Sequence, residues 1–137
     1  MIWRKDIYDS LTSCATLCDE FATECSRADE IDSWYRTIFL SLDCADLCRQ
    51  LAMLYVRGSE NTCLLAKACI EVCEKCAQEV SKFDTQQSKQ VFALCQQTIL
   101  SCVGILDMEQ RSEEPNTPAV TSASLFYGID LRQTLYN

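Results

Sequence analysis

The chain has 137 residues, a formal net charge of −8 and eleven cysteines, but no histidine. A domain of this length buries roughly two-thirds of its unfolded surface, so it does not need disulfides to fold. The acidic balance argues against a nucleic-acid partner, which attracts surfaces rich in Lys and Arg. We find no continuous run of about 18 apolar residues, so no membrane span is predicted.

Turn signals divide most of the chain into four helices. Asp32 or Ser33 is the expected N-cap of the second helix, Gly58 the residue that follows its end, and Asp84 the N-cap of the fourth. The predicted helices cover residues 4–27, 32–58, 61–83 and 84–109. Short connections between helices of similar length predict an all-α protein, an antiparallel up-down four-helix bundle with a C-terminal extension.

The sequence changes in character after Glu109. Both prolines, Pro115 and Pro118, lie in a polar linker that follows it, and proline ends helices. Beyond this linker we expect a short amphipathic segment that docks on the bundle or on a neighbouring subunit, with a disordered tail as the alternative. Its apolar residues are Leu125, Phe126, Ile129, Leu131, Leu135 and Tyr136. We therefore divide the chain into a bundle with a cysteine-lined core, residues 1–109, and a linker with this segment, residues 110–137.

The cysteines recur at helical spacing. Side chains three or four residues apart lie on one face of a helix, one turn from each other. Ten cysteines share such faces with aliphatic residues, and these are the predicted metal ligands: Cys14, Cys18, Cys25, Cys44, Cys48, Cys69, Cys73, Cys76, Cys95 and Cys102. Cys63 lies off its stripe. Disulfides within a CxxxC pair are disfavoured, because Cβ atoms at i and i+4 are about 5–6 Å apart, whereas a disulfide requires about 3.5–4.5 Å.

The rise of about 1.5 Å per residue predicts where these thiols lie along the bundle. All ten except Cys25 are expected near mid-bundle, with Cys25 towards one end and Cys63 towards the other. Five apolar side chains are expected to close the ends: Leu11, Phe39, Leu51, Tyr55 and Leu65. We assign Leu40, Tyr55, Leu65, Ile99 and Leu106 to the inward stripes, so that Ile99 lies between Cys95 and Cys102.

Ligand chemistry favours Cu(I) among the metals. Thiolates select Cu(I), zinc and Fe–S clusters. Zinc knuckles use CxxC in short loops, yet only Cys73 and Cys76 have that spacing, within a helix. Fe–S clusters draw their cysteines from loops, and di-iron bundles need histidine. Cu(I) accepts two thiolates one turn apart, so ten inward thiols predict a capacity on the order of five ions, or more if sulfurs bridge.

The chain resembles the copper storage family of cysteine-rich four-helix-bundle proteins over about residues 4–106. Three segments carry the resemblance: Cys14-Ala-Thr-Leu-Cys18 with Cys25, Asp43-Cys44-Ala-Asp-Leu-Cys48-Arg49, and Cys69-Ile-Glu-Val-Cys73-Glu-Lys-Cys76-Ala77. The resemblance implies a store of many Cu(I) ions, a homo-oligomer and a copper metallochaperone as the donor. The chain departs from the family in lacking histidine and in having no CxxxC pair on its last helix.

We therefore predict a cytoplasmic Cu(I) storage protein, not an enzyme, that binds several Cu(I) ions through core thiolates. The residues after Met1 lack the apolar region of a signal peptide, although an exported mature form would look the same. Two alternatives stay open. One is a zinc-binding structural or adaptor bundle, and the other is a thiol redox sensor, for which Cys63 is the candidate because reactive thiols are exposed.

Overall fold

The computed structural model describes residues 4–29 and 34–112, and over these ranges it contains helices and no strands. The helices are α1 (Arg4–Ser26), α2 (Tyr35–Val56), α3 (Thr62–Val80) and α4 (Gln86–Ser112). The prediction of four helices is confirmed, although the third ends three residues earlier and the fourth extends three residues further than predicted. The expected N-caps Asp32 and Ser33 lie outside the described residues, as does the C-terminal segment.

The four helices pack as a bundle in which each contacts two neighbours. α1 packs on α2, α2 on α3, α3 on α4, and α4 on α1. Across the α2–α3 contact, Cys44 faces Cys73 and Cys48 faces Cys69. Residue numbers thus rise along one helix as they fall along the other, which is the pairing of antiparallel neighbours. The up-down order of the whole bundle stays a prediction, and this pairing supports it.

The end of α2 follows the predicted glycine motif. Gly58 has φ +66°, a left-handed conformation that glycine adopts without a steric penalty. Its N–H donates to the Tyr55 carbonyl at 3.1 Å, and the Ser59 N–H donates to the Leu54 carbonyl at 2.9 Å. These two bonds form a Schellman motif, which satisfies carbonyls that the helix end leaves free. The chain therefore leaves α2 in a tight turn and enters α3 beside it.

The start of α4 differs from the prediction. Thr85 and Ser88 cap it reciprocally: the Ser88 N–H donates to Thr85 Oγ1 at 3.0 Å, and the Thr85 N–H donates to Ser88 Oγ at 3.1 Å. This is a capping box built from two hydroxyl residues. Asp84, the predicted cap, instead forms an ion pair with Lys89 at 2.9 Å. The prediction was wrong because Thr85 is the residue directly before the first helical residue, Gln86.

The buried stripes advance by alternating steps of three and four residues. On α4 the buried positions are Ser88, Val91, Cys95, Thr98, Cys102 and Ile105. Ile99 and Leu106, predicted to face inward, are half-buried beside this stripe, as are Leu40, Tyr55 and Leu65 on the other helices. Smaller residues occupy several inward positions, namely Ser41, Ala66 and Thr98. The correction has a geometric cause, because only alternating steps keep side chains in line with the partner helices of a bundle.

The helix α4 is the one that bears on the prediction of no membrane span. By length and composition alone, Gln86–Arg111 is apolar enough to cross a membrane, a test that core helices of soluble proteins also pass. In the bundle, 28% of an apolar 18-residue stretch of this helix is buried. The outward face carries the exposed side chains of Phe92, Leu100 and Val103. One such helix is weak evidence for a membrane span, and the inward face of α4 packs on α1 and α3.

Candidate metal centre

All four helices contribute thiols to the interior of the bundle. Ten of the eleven cysteines are buried, and Cys63 is half-buried. α1 supplies Cys14, Cys18 and Cys25; α2 supplies Cys44 and Cys48; α3 supplies Cys69, Cys73 and Cys76; α4 supplies Cys95 and Cys102. The burial predicted from helical spacing is confirmed. Their role as metal ligands stays a prediction.

Two overlapping groups of sulfur atoms have the geometry of metal ligands. In the first, the sulfurs of Cys14, Cys18, Cys44 and Cys95 all lie within 4.8 Å of one another. In the second, the same limit holds for Cys44, Cys48 and Cys73. Cys44 belongs to both groups, and its Sγ lies 3.5 Å from that of Cys73. One sulfur is thus within reach of two candidate ion positions.

Further contacts join the remaining central thiols to these groups. Cys69 Sγ lies 3.7 Å from Cys48 Sγ and 3.8 Å from Cys73 Sγ. The neighbouring Cys69 thiol raises the pKa of Cys102, and the Cys14 and Cys76 thiols are among the neighbours that raise the pKa of Cys18. We call the connected set the thiol network: Cys14, Cys18, Cys44, Cys48, Cys69, Cys73, Cys76, Cys95 and Cys102. These are the nine cysteines that were predicted at mid-bundle from the rise per residue and the antiparallel order of the helices.

Cys25, although also a predicted ligand, lies apart from the network. It is 4% exposed, and it borders a cavity together with Phe21, Trp34 and Phe83. Burial, with a smaller effect from Glu24, raises the pKa of Cys25 to about 11. Its proton is therefore held by apolar surroundings, whereas the protons of the network thiols are shared among neighbouring sulfurs.

The network thiols shift one another's pKa values in opposite directions. Hydrogen bonds, that with Cys14 first, lower the pKa of Cys44, because S–H donors stabilise a thiolate. The hydrogen bond to Cys14 raises the pKa of Cys18, and burial acts in the same direction. A buried site disfavours accumulated negative charge. The metal-free network therefore retains most of its protons, and a bound cation must displace them.

Aromatic side chains that the sequence analysis missed close one end of the bundle. The Trp34 and Phe83 rings stack with their centroids 4.2 Å apart, and Phe21 meets Phe83 edge-on at 6.1 Å. Phe39, which was expected to help close the bundle, is 58% exposed and stacks on Tyr35 at the surface. Trp34 and Phe83 escaped notice because they flank helices, where helical periodicity gives no direction to a side chain.

The opposite end combines aliphatic and sulfur-containing side chains. Leu11 and Leu51 are fully buried, as expected. Nearer the surface, Tyr55, Cys63 and Met108 border one cavity. The redox-sensor alternative named Cys63 for its exposure, and the structure places it here, outside the thiol network.

Two buried hydroxyl groups accompany the thiols, and periodicity could have found both. Ser41 Oγ lies 4.0 Å from Cys76 Sγ. Thr98 is fully buried between Cys95 and Cys102 in sequence, on the same stripe. Neither residue is a cysteine or a large apolar residue, the types that mark an inward stripe in the sequence, but inward positions of a bundle accept any side chain of suitable size.

The arrangement can bind soft metal ions. It offers only sulfur donors in overlapping groups, and thiolates select soft or borderline metals over hard oxygen-seeking cations. The carboxylates that neighbour these cysteines in sequence, Asp43, Asp46, Glu71 and Glu74, are exposed. They face away from the sulfurs, so the donor set of the network is thiolate.

A family model described as copper storage protein matches residues 4–107. The matched range contains α1, α2, α3 and most of α4, and it includes all eleven cysteines. No curated protein and no solved structure matches the chain.

Proposed function

Because this chain belongs to the copper storage protein family, we propose that it stores several Cu(I) ions in its thiol network. The observation that carries the proposal is the sharing of Cys44 between two groups of sulfurs. A thiolate that bridges two ions allows a cluster to grow through the bundle, whereas separate sites would each need their own ligands. A storage protein performs no catalysis, and its family is one of storage rather than of enzymes.

The preference for Cu(I) follows from the donor set and from charge. One Cu(I) between two thiolates leaves a single negative charge, which further ions can share by bridging. This matters because uncompensated charge in an apolar core is costly. Sulfur pairs on adjacent turns, such as Cys14 and Cys18, or Cys69 and Cys73, suit an ion that accepts two ligands. These pairs give the network more than one position for a monovalent soft cation.

Loading is an exchange of protons for copper. The metal-free thiols are buried and mutually hydrogen-bonded, so the bundle needs no metal to bring them together. Each Cu(I) that enters displaces the protons of its ligands, and copper affinity therefore falls as the pH is lowered. Cys25 stays a predicted ligand. Because it lies apart from the network, we expect it to contribute last and to account for one ion at most.

An anaerobic titration of the reduced, metal-free protein with Cu(I), against a chromogenic chelator, tests the proposal. Two thiolates per ion predict uptake on the order of five equivalents, with more if sulfurs bridge. The circular dichroism of the helices should not change during loading, since the thiols are already assembled. Uptake of one equivalent or fewer would contradict storage. Cys63→Ser is the matched control, because Cys63 is half-buried and does not belong to the thiol network. This variant should take up as many Cu(I) ions as the wild type does.

Zinc is the second candidate, and one observation favours it. The first sulfur group, formed by Cys14, Cys18, Cys44 and Cys95, has the number of ligands that a tetrahedral zinc site requires. A zinc-dependent bundle would retain one Zn(II) ion after ordinary purification and lose helicity when a chelator removes it. Helicity that persists after chelation, together with uptake of several Cu(I) ions, would exclude this candidate.

We also propose a cytoplasmic location, a homo-oligomer and a copper metallochaperone as donor. Free thiols in this number are stable in a reducing compartment. Exposed apolar side chains, among them Phe39, Leu64 and Leu100, favour association between subunits. The metallochaperone follows from membership of the family alone. Light scattering of the purified protein measures the oligomeric state, and a monomer at all concentrations would contradict that part of the proposal.

A further inference from the structure

Thr98 occupies the inward position of α4 between two thiols of the network. Cys95 lies three residues before it and Cys102 four residues after it, so all three side chains share one face of the helix. Each of the three is fully buried. Cys95 belongs to the first sulfur group, and Cys102 has the Cys69 thiol as a neighbour, which raises its pKa. The Thr98 side chain therefore lies where α4 passes the network, in the place of an intervening thiol.

The hydroxyl of Thr98 has no partner in the metal-free protein. Among the described residues, Thr98 Oγ1 is the buried side-chain oxygen that lacks a hydrogen bond. This is unusual for a helix, where a threonine can donate to the carbonyl four residues earlier. Thr12 and Thr16 do so at 3.0 Å. A buried donor left unsatisfied destabilises the folded state. If this position of α4 served only for packing, an apolar side chain of the same size would therefore be more favourable than threonine.

Loading changes the charge around this hydroxyl. In the metal-free protein, none of the neighbouring sulfurs that the structure describes accepts a hydrogen bond from Thr98 Oγ1. After loading they are thiolates, and a network with more thiolates than monovalent ions carries net negative charge. A hydroxyl donor next to a buried thiolate offsets part of that charge, and hydrogen bonds to charged acceptors are stronger than those between neutral groups. A side chain that destabilises the empty protein thus stabilises the loaded one.

We propose that the Thr98 hydroxyl donates a hydrogen bond to a copper-bound thiolate of Cys95 or Cys102, and that it is a second-sphere donor rather than a copper ligand. The inference rests on the proposed storage of Cu(I). The hydroxyl of Thr98 then has two opposite effects: it lowers the stability of the metal-free bundle, and it raises the affinity of the bundle for copper.

Thr98→Val tests this difference, because valine keeps the shape of threonine and removes the hydroxyl. We expect the melting temperature of the reduced, metal-free protein to rise by about 4 °C, since no buried donor is left unsatisfied. In competition with a chromogenic chelator, the Cu(I) affinity should fall about tenfold while the number of ions stays the same. Thr98→Ser retains the donor and should bind Cu(I) as the wild type does.

Thr37→Val is the matched control. Thr37 is also a buried helical threonine, but its hydroxyl donates to Glu79 Oε1 at 3.2 Å, away from the thiol network. Its removal should lower the melting temperature of the metal-free protein and leave copper affinity unchanged. The two valine substitutions are therefore expected to shift stability in opposite directions, which a general effect of valine on the core would not produce.

Three results would overturn the inference. Wild-type copper affinity in Thr98→Val would show that the hydroxyl does not contact the loaded network. Loss of a whole equivalent would make Thr98 a ligand instead of a donor. A lower melting temperature of the metal-free Thr98→Val protein would mean that the hydroxyl is already satisfied. The proposed storage is tested separately, by titration of the wild-type chain with Cu(I) before any variant is compared. Uptake of no more than one ion in that titration would overturn storage itself.

Discussion

The thiol network at the centre of the bundle lies on inward positions of the four helices, whereas the aromatic end beyond it combines Phe21 of α1 with Trp34 and Phe83, which flank helices. At the centre those positions hold cysteines whose sulfurs lie within 4.8 Å of one another in overlapping groups. At the aromatic end, Phe21, Trp34 and Phe83 fill the space with stacked and edge-on rings. The centre therefore offers donors at close spacing, and the end offers none besides Cys25.

Cys25 shows what this difference means for a thiol. It is buried like the central cysteines, yet burial among apolar groups raises its pKa to about 11. Cys44, also fully buried, has its pKa lowered by hydrogen bonds with neighbouring thiols, Cys14 first. Within the network the neighbouring thiols lower the pKa of Cys44 and raise that of Cys18, whereas Cys25 has no such neighbours among the described residues and burial alone is the main cause of its raised pKa. Among these three cysteines, only one with thiol neighbours has its pKa lowered towards the thiolate form that binds metal.

Removing the shared thiol should produce the largest effect. In a Cys44→Ala, Cys48→Ala variant we expect the Cu(I) capacity to fall by about two ions, because both sulfur groups lose ligands. The measurement is the anaerobic titration, and Cys63→Ala provides a control with the same chemistry outside the network. A capacity equal to that of the wild type would contradict the assignment of the store to the centre of the bundle.

Removing an aromatic ring from the aromatic end should lower the stability of the protein and leave its copper capacity unchanged. Phe83→Ala removes contacts with both Trp34 and Phe21, and we expect the free energy of unfolding to fall by about 3 kcal/mol. Copper capacity should be unchanged. Phe39→Ala, at an exposed site, should change the free energy of unfolding by less than about 1 kcal/mol. Loss of copper with Phe83→Ala, measured in folded protein, would mean that the aromatic end takes part in binding.

The pH dependence of stability distinguishes Cys25 from the network. Its pKa is raised from 9.0 to about 11, so between these values the folded chain keeps a proton that the unfolded chain releases. The free energy of unfolding is therefore undiminished below about pH 9 and falls as the pH rises through the folded pKa. The raised pKa accounts for about 3 kcal/mol of this fall. Denaturant unfolding of reduced Cys25→Ala over the same range should show a correspondingly smaller decrease, and an equal decrease would contradict the prediction.

Much of the site could be predicted because it depends on geometry within single helices. Spacings of three and four residues placed Cys14 with Cys18 and Cys69 with Cys73 on inward faces, and the rise per residue placed them at one height. The turn at Gly58 was also predictable, since only the conformation of a few residues decides it. The inward faces and the turn need no knowledge of what the neighbouring helices do, whereas the common height also depends on the predicted antiparallel order of the helices.

The errors arose where several helices decide together. Ile99 was expected between Cys95 and Cys102, but Thr98 takes that place. The two residues differ by 100° around α4, and the choice between them depends on how α4 is rotated against α1 and α3. Phe39 was expected to close the bundle, yet Trp34 and Phe83 do so from segments where periodicity gives no signal.

The sequence by itself determined the four helices, the inward face of the cysteines and the soft character of their donors, because each follows from local geometry and from side-chain chemistry. The tertiary structure decided which sulfurs meet, that Cys44 is shared and that Cys25 is left among aromatic rings. It also placed the unpartnered hydroxyl of Thr98 on the same buried stripe as the thiols of α4. Contacts between helices depend on their rotation and axial offset, and only the packing of all four together sets these quantities.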